Sequence, residues 1–485
     1  MSESIDTAVI LAAGLGTRMR STLPKVLHQV CGLPLITHVT RAAAQAGVER
    51  LVVVLRPGQE EELAPHLPPS ASVAVQKEQR GTGDALLAAG AMLGDGHVLV
   101  LPGDTPLLTA DILTGLVRLW SESGADAALL TLTPPDPTGY GRVLRDPEGM
   151  VERIVEHRDA TPAEREVREV NAAVYILPAR EALELLAGLD RDNDQGELYL
   201  TDVIAGLRSR GARIAALCAP DHRVALGINN RVELAEAQGI MGRRILEAWM
   251  LAGVTIEDPG STHVDAGVEL EPDVHLLPFT CLRGTTRVAR GSEIGPGSTL
   301  VDTVVGAGSF VRHSYTNGAV LEAGAQVGPF TYLRPGANLL EGAKAGAFVE
   351  IKKSTIGKGS KVPHLSYIGD TRIGSGTNIG AGNITANYDG FEKHPTSIGD
   401  NVRTGSDAVF VAPVTVGDEA TVGAGSIITK DVPAGALAVA RSRQRNILEY
   451  RQKGRTHPSS EDAMRGGAAA EDHRVASDEQ GGSDE

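Results

Sequence analysis

The segment Leu11 to Lys25, LAAGLGTRMRSTLPK, sets two glycines, an arginine and a lysine just beyond an apolar run that reads as a strand. Gly14 and Gly16 let backbone N–H groups approach an anion, and Arg18 and Lys25 bring positive charge to the same place, so the segment suits a phosphate. It lacks the third glycine of a dinucleotide fingerprint, where Met19 stands, and the GK[ST] of a Walker loop. Alone, it is equally compatible with a tight strand-to-helix turn. Asp104, in LPGDTPLL at the end of another apolar run, offers the single carboxylate that Mg²⁺ takes beside water and phosphate oxygens; next to Pro106 it is also placed to cap a helix. Further on, polar residues interrupt a bland repeat: Arg334 in LRPG, Lys352 and Lys353 in VEIKKS, His364 and Tyr367 in HLSYIGD, Asn378 in NIGAGN, then Asn387, Tyr388 and Lys393 in TANYDGFEKHP. A histidine titrating near neutrality suits a general base, although a lone histidine is as readily structural.

Two kinds of scaffold must hold these groups. In the first half, strand-like runs (Ala8 to Leu11, Leu51 to Leu55, Val73 to Val75, Val98 to Leu101, Ala127 to Leu132, Ala172 to Leu177) alternate with helical spacing at Leu35 to Ala46, Asp84 to Leu93 and Asp111 to Glu122, with Gly47 and Gly124 as stops. That alternation predicts an α/β, Rossmann-like domain with a mostly parallel sheet. Asn230 to Ala252 reads as one longer linking helix, capped by Asn229 or Asn230. From Gly253 aliphatics recur every six residues: Val288, Ile294 and Leu300; Leu321, Val327, Leu333 and Leu339; and Ile398, Phe410, Val416, Val422 and Ile428 in one frame. Such hexads, usually followed by a small residue, predict a left-handed parallel β-helix, three hexads closing each triangular coil. Thr385 to Pro395 fits no hexad and is expected to project as a loop. The expected divisions are 1–229, the linking helix 230–252, the β-helix 253–440, an arm 441–455 and a disordered tail 456–485.

Composition removes several classes of function. The net charge is −15, and the residues after Arg455 hold eight acids against two bases, so no basic face is offered to nucleic acid or anionic lipid. Cys31, Cys218 and Cys281 stand apart from one another and from any histidine cluster, which supports neither a disulfide framework nor a structural zinc site. No run approaches the ~18 apolar residues of a membrane span, and the acidic start MSESID is unlike a secretion signal, so a cytoplasmic protein without membrane insertion is expected.

The Leu11 to Lys25 segment resembles the signature of sugar-1-phosphate nucleotidyltransferases, and further matches follow in order: QKEQRGTGDA from Gln76, LPGDTPLL from Leu101, PTGYGRV from Pro137, IVEHRDA from Ile154, EVNAAVYIL from Glu169 and GINN from Gly227. Over the chain to about Gln444 the sequence is similar to the bacterial bifunctional N-acetylglucosamine-1-phosphate uridyltransferase/glucosamine-1-phosphate acetyltransferases. The resemblance implies UTP, acetyl-CoA and Mg²⁺, a cell-wall role in supplying peptidoglycan and lipopolysaccharide precursors, and a homotrimer. A single-activity nucleotidyltransferase whose β-helix only trimerises is the alternative.

By that resemblance Arg18 and Lys25 are catalytic, Leu11, Ala12, Ala13, Gly14 and Lys25 bind UTP and the UDP-sugar, Asn229 joins this set and also joins Asp104 on the metal, and Gln76, Gly81 and Thr82 read uracil. Gly141, Glu156 and Asn171 hold the sugar. In the β-helix it assigns Arg334, Lys352 and Lys393 to the sugar phosphate and Tyr367 and Asn378 to the sugar. His364 becomes the base that takes a proton from the attacking amine. Ala381, Asn387, Tyr388, Ser406, Ala424 and Arg441 take acetyl-CoA, Asn387 also being a candidate to orient His364 or to polarise the acyl group. The sequence departs from the family pattern at Pro363, at Arg403 to Thr404 and at Val174 to Tyr175, and Pro363 bears on the orientation of His364.

Overall fold

Uninterrupted aliphatic runs form the sheet of the first half in a computed structural model that describes residues 5–189, 197–448 and 450. Strands β1 (Thr7–Leu11), β2 (Arg50–Leu55), β3 (Ala71–Val75), β4 (His97–Pro102), β5 (Ala127–Leu132), β6 (Val170–Pro178) and β7 (Ile214–Cys218) lie in the order β7-β5-β6-β4-β1-β2-β3. All pairings are parallel except those of β6, which runs antiparallel to β4 and β5. Covering both faces of a parallel sheet requires apolar residues in both directions. Along β1, accordingly, Ala8 and Ile10 enter one buried layer and Val9 the other.

Helices Leu35–Gln45 and Ala110–Ser123 fall on expected segments, and Gly124 stops the second in a left-handed conformation. The helix expected from Asp84 begins at Thr82 and closes in a tighter turn, Gly90–Met92. The linking helix spans Arg231–Leu251; the Asn230 side-chain oxygen accepts from the backbone N–H of Val232 (2.9 Å) and Glu233 (3.0 Å), leaving Asn229 outside the helix. Ala237 and Ile240 pack against Leu35 and Leu107, while Leu246 joins the core of the second half.

From Thr255 the chain winds into short strands stacked as three parallel sheets of 7, 10 and 9 strands, a left-handed parallel β-helix, with a further 3-stranded sheet at its end. The hexad aliphatics all point inward: Val288, Ile294, Leu300, Leu321, Val327, Leu333, Leu339, Ile398, Phe410, Val416, Val422 and Ile428 are buried in one continuous core. The position missing from the last hexad run is Thr404, which also turns inward. Its hydroxyl donates to Asn383 Oδ1 (2.8 Å) and accepts from Gly380 N–H (2.8 Å), so a polar residue keeps the register by satisfying itself. Thr385 is likewise a core residue, fully buried in the strand Ile384–Ala386, so the projecting segment is shorter than expected and starts at Asn387. The described residues up to Val439 form one compact unit and those from Ala440 on another. The expected tail 456–485 and residues 449 and 451–455 of the arm lie outside the described residues. Among the described residues no helix is long and apolar enough to cross a membrane.

Candidate functional site

The loop after β1 is tied to both neighbouring strands: Ala12 N–H donates to Val54 O of β2, and Gly103 N–H, just past β4, donates to Leu11 O of β1, both at 2.9 Å. Gly16 has φ +64°, and a Cβ there would stand 2.7 Å from Lys25 Cβ, so glycine is what lets Lys25 cross the loop. Lys25 reaches Asn229 Oδ1 (2.8 Å) and ion-pairs with Asp104, while Arg18 donates to the same Asn229 oxygen (2.9 Å). Two cations and two oxygen donors thus meet at one point. With them Leu11, Ala13, Gly14, Gln76, Gly81 and Thr82 line a cleft of about 520 Å³. Ala12 does not line it; the Ala12 residue is buried beneath the loop it helps to tie.

At the other end of the cleft the Gln76 carboxamide donates to Gly81 O (3.0 Å) and Asp84 Oδ2 (2.9 Å). Gly81, at φ +103°, would carry a Cβ 2.6 Å from Leu198 O, and Thr82 accepts from Leu200 N–H (3.1 Å). Gly141, Glu156 and Asn171 do not line the cleft; Asn171 reaches it through Tyr175, whose hydroxyl accepts from Asn171 Nδ2 at 2.6 Å. Burial holds the Glu156 carboxyl above its usual range, with Asp159 and Asp202 adding to the effect and Thr201 opposing it. Sequence reasoning missed Gln79, Ala173, Tyr175, Glu197 and Leu200 as lining residues. Gln79 sits within the QKEQRGTGDA match, and Tyr175 had been noted only as a departure.

The β-helix distributes its expected residues over two corners. Along one, between the first and second sheets, His364, Ala381, Ser406 and Ala424 stack on successive coils. Gly382 N–H donates to His364 O (3.3 Å), Asp407 N–H to Ala381 O (2.8 Å) and Gly425 N–H to Ser406 O (2.8 Å). The His364 ring is exposed and has no hydrogen-bond or ion-pair partner among the described residues. Pro363 is accommodated in the strand Lys361–His364, because Lys361 N–H donates to Thr377 O (2.8 Å) and Leu365 N–H to Ala347 O (2.9 Å) on either side of it. Gly346 lies directly beneath: a Cβ there would come within 2.0 Å of Pro363 O.

Near the next corner, Lys352 pairs with Asp370 (3.2 Å), Asn387 Nδ2 donates to the same carboxylate, and Arg334 pairs with Glu350 (2.9 Å). Lys393 lies close to Lys352, whose ammonium pulls the Lys393 ammonium below its usual range. Gly369 leaves room for the Tyr367 hydroxyl and the Asn387 amide, since a Cβ would stand 2.5 and 2.8 Å from them. Neither Gly369 nor Asp370 had been singled out from the sequence. Asn387 therefore engages Asp370, not His364, and the expected contact between the two is not formed within one chain. Asn378 lies apart on the first sheet, bridging Lys361 and Arg403. Tyr388 pairs with Lys393 to close the projecting loop, its hydroxyl donating to Gly390 O (2.7 Å). Arg441 belongs to the unit that starts at Ala440. Among the described residues no three His, Cys, Asp or Glu side chains cluster to hold a metal.

Residues 8–198 match the family model of the MobA-like NTP transferase domain, and residues 395–430 that of the hexapeptide repeat of succinyl-transferase. "Bifunctional protein GlmU" of Streptomyces coelicolor is 49% identical over 446 residues, covering 90% of this chain and 92% of that protein. The GlmU of Desulfitobacterium hafniense is 47% identical over 91% of this chain and 98% of its own. That of Corynebacterium efficiens is 46% identical over 99% of each, so its similarity runs past Gln444, where the motifs end.

The burial of Glu156 has a consequence for stability. The folded chain holds its proton more tightly than the unfolded chain, so its stabilising contribution is complete below about pH 4 and is lost as the pH rises. Glu156→Gln should raise the melting midpoint at pH 7 and leave it almost unchanged near pH 4. Thermal denaturation at both pH values checks this, and a difference independent of pH would contradict it.

Proposed function

The chain belongs to the family of bifunctional GlmU proteins, and from that membership we propose how its residues divide two reactions. It is a nucleotidyltransferase and an acetyltransferase in one chain: it acetylates glucosamine 1-phosphate with acetyl-CoA, then couples N-acetylglucosamine 1-phosphate to UTP with release of pyrophosphate. The UDP-N-acetylglucosamine it makes serves cell-wall synthesis.

For uridyl transfer, the observation that carries the reading is the meeting of Arg18, Lys25, Asp104 and Asn229 in the cleft. A sugar-phosphate oxygen must attack the α-phosphorus of UTP while pyrophosphate leaves in line, and both reactants are polyanions. Arg18 and Lys25 draw them together and offset their repulsion, and the Gly14 loop admits the phosphates to backbone N–H groups. The fit to Mg²⁺ is good: one carboxylate oxygen and one carboxamide oxygen already converge on a single cation, the Lys25 ammonium, and Mg²⁺ prefers few protein oxygens of this kind. Asp104 and Asn229 would hold it, and bound there it would supply Lewis-acid stabilisation of phosphate charge. Gln76, Gly81 and Thr82 take the uracil end.

For acetyl transfer, His364 accepts the proton as the neutral amine attacks the thioester carbonyl; the C–N bond forms and the C–S bond breaks. Arg334, Lys352 and Lys393 receive the sugar phosphate, with Tyr367 and Asn378 on the sugar. Ala381, Ser406 and Ala424 form a small-residue track for acetyl-CoA, to which Asn387, Tyr388 and Arg441 contribute. Since the His364 corner and the Lys352 corner are different edges of one prism, a homotrimer that sets one chain's first corner against its neighbour's second corner completes each site. The divisions 1–229, 230–252 and 253–440 separate the two activities, and the protein works in the cytoplasm.

Asp104→Asn should abolish pyrophosphate release and leave acetyl-CoA-dependent thiol release intact, because the sites draw on separate cores. Conversely, His364→Ala should lower thiol release by ~10²-fold or more with pyrophosphate release unchanged. Loss of both activities in either folded variant would reject this division. Co-expression tests the shared groove: His364→Ala and Lys352→Ala chains, each impaired alone, should regain thiol release in mixed trimers, whereas no recovery would place both residues in one chain's site.

A further inference from the structure

Tyr175 lies on β6, and what singles it out is a bulge. Asn171 pairs with Thr131 and Tyr175 with Leu129, so four residues of β6 are set against two of β5. On a regular strand Asn171 and Tyr175 would be ~13 Å apart. The bulge, with Ala173 at φ +56°, brings the Asn171 amide and the Tyr175 hydroxyl to 2.6 Å.

The hydrogen-bond pattern then leaves one hydrogen over. Asn171 Oδ1 accepts from Ala173 N–H (3.0 Å), which fixes the amide so that Nδ2 faces the phenol and donates to it. The Tyr175 oxygen is thus an acceptor toward Asn171, and its own O–H finds no acceptor among the described residues. The residue is 2% exposed, yet it lines the cleft. Burial holds the phenol neutral, pushing its ionisation well above the ordinary range. A buried O–H with an unfilled valence facing a cleft is a donor awaiting a ligand.

Sheet order says which part of the ligand. Gln76 follows β3 at one edge, the Gly14 loop follows β1, Asp104 follows β4, and Tyr175 sits on β6, the next strand along. A ligand with its base at Gln76 and its phosphates at Lys25 and Asp104 lays its third part, the sugar, over β6. We propose that Tyr175 is a specificity-determining residue of the uridyl-transfer cleft, donating its phenolic hydrogen to the acetamido carbonyl oxygen of N-acetylglucosamine 1-phosphate. This rests on the reading of the cleft given above. A carbonyl oxygen satisfies the donor. The ammonium of unacetylated glucosamine 1-phosphate has no lone pair to offer, and would leave the buried O–H unpaired beside a positive charge.

The test compares the two sugar phosphates as substrates for pyrophosphate release from UTP, using the purified full-length chain without acetyl-CoA. In the wild type, kcat/KM should strongly favour the acetylated sugar. Tyr175→Phe should shrink that preference by ~10-fold or more, with the KM for UTP unchanged. An unchanged preference, or an equal loss on both sugars, would overturn the proposal. Should the phenylalanine variant not fold, Tyr175→Met, which also lacks the hydroxyl, is judged by the same ratio. A wild type that releases no pyrophosphate with either sugar would overturn the reading of the cleft itself, and the proposal with it.

Discussion

The Lys25 ammonium is the contact on which the first half is organised. It joins Asp104, at the end of β4, to Asn229, which precedes the linking helix 204 residues away in sequence. The lysine gets there only because Gly16 has no side chain, and Asn229 is available only because Asn230 takes over the capping of the helix. Strand ends, glycine loop and helix start are thus each arranged around one charge. A cation held between a carboxylate and a carboxamide is compensated while the cleft is empty, in a protein whose net charge of −15 would otherwise repel polyanions. On the proposed reading, an incoming phosphate exchanges with these oxygens for the same cation, so the positive charge is local and already in place.

The second half works under a different constraint. Each coil must turn sharply at its corners, and residues other than glycine adopt left-handed backbone there, among them Phe348, Lys353, Leu365 and Asp370. The corner side chains therefore stand outward in columns, one per coil, which is how His364 comes to share a line with Ala381, Ser406 and Ala424. A prism is convex, however, and one column supplies only one wall of a groove. Lys352, Asp370, Asn387 and Lys393 make another wall at another corner. On the proposed reading, an active site built from both walls takes its second wall from another chain.

How much of this the sequence disclosed follows from the range of the signal. Hexad aliphatics such as Leu300 and Val416 repeat at fixed spacing, so the β-helix is legible from a periodic pattern, whereas Thr404 and Thr385 face the same core and escape it, because their burial depends on hydrogen bonds to Asn383 and Gly369 on other coils. The glycine loop, Asp104 and Asn229 are legible because each lies in a short motif. Tyr175 is not: its nearness to Asn171 depends on a bulge that no local spacing announces, and it looked like a mere substitution. Likewise, Asn387 was one candidate to orient His364, yet in the folded chain its amide is taken by Asp370, a residue without a motif of its own.

The two activities are joined mechanically without being joined chemically. The β-helix core runs as one cluster from Val254 to Val432, and the first half has two layers of its own about its sheet. A small cluster of Val30, Cys31, Leu35, Leu107, Ile228, Ala237 and Ile240 ties the linking helix to the first half. Polar contacts reinforce it: Gln238 Oε1 accepts from Cys31 N–H at 2.7 Å, and Ala266 N–H, in the first coils, donates to Cys31 O at 2.8 Å. Burial of the Cys31 thiol, which pushes it up to about 12, keeps it a neutral packing group at this junction. Coupling between distant sites needs a packed element with two arrangements that both sites bias. Here the junction reaches the cleft directly, since Ile228 of this cluster donates its N–H to Asp104 O at 3.0 Å, whereas His364 is not among its residues. On the proposed reading, the discrimination that keeps the unacetylated sugar out is exercised by the cleft itself.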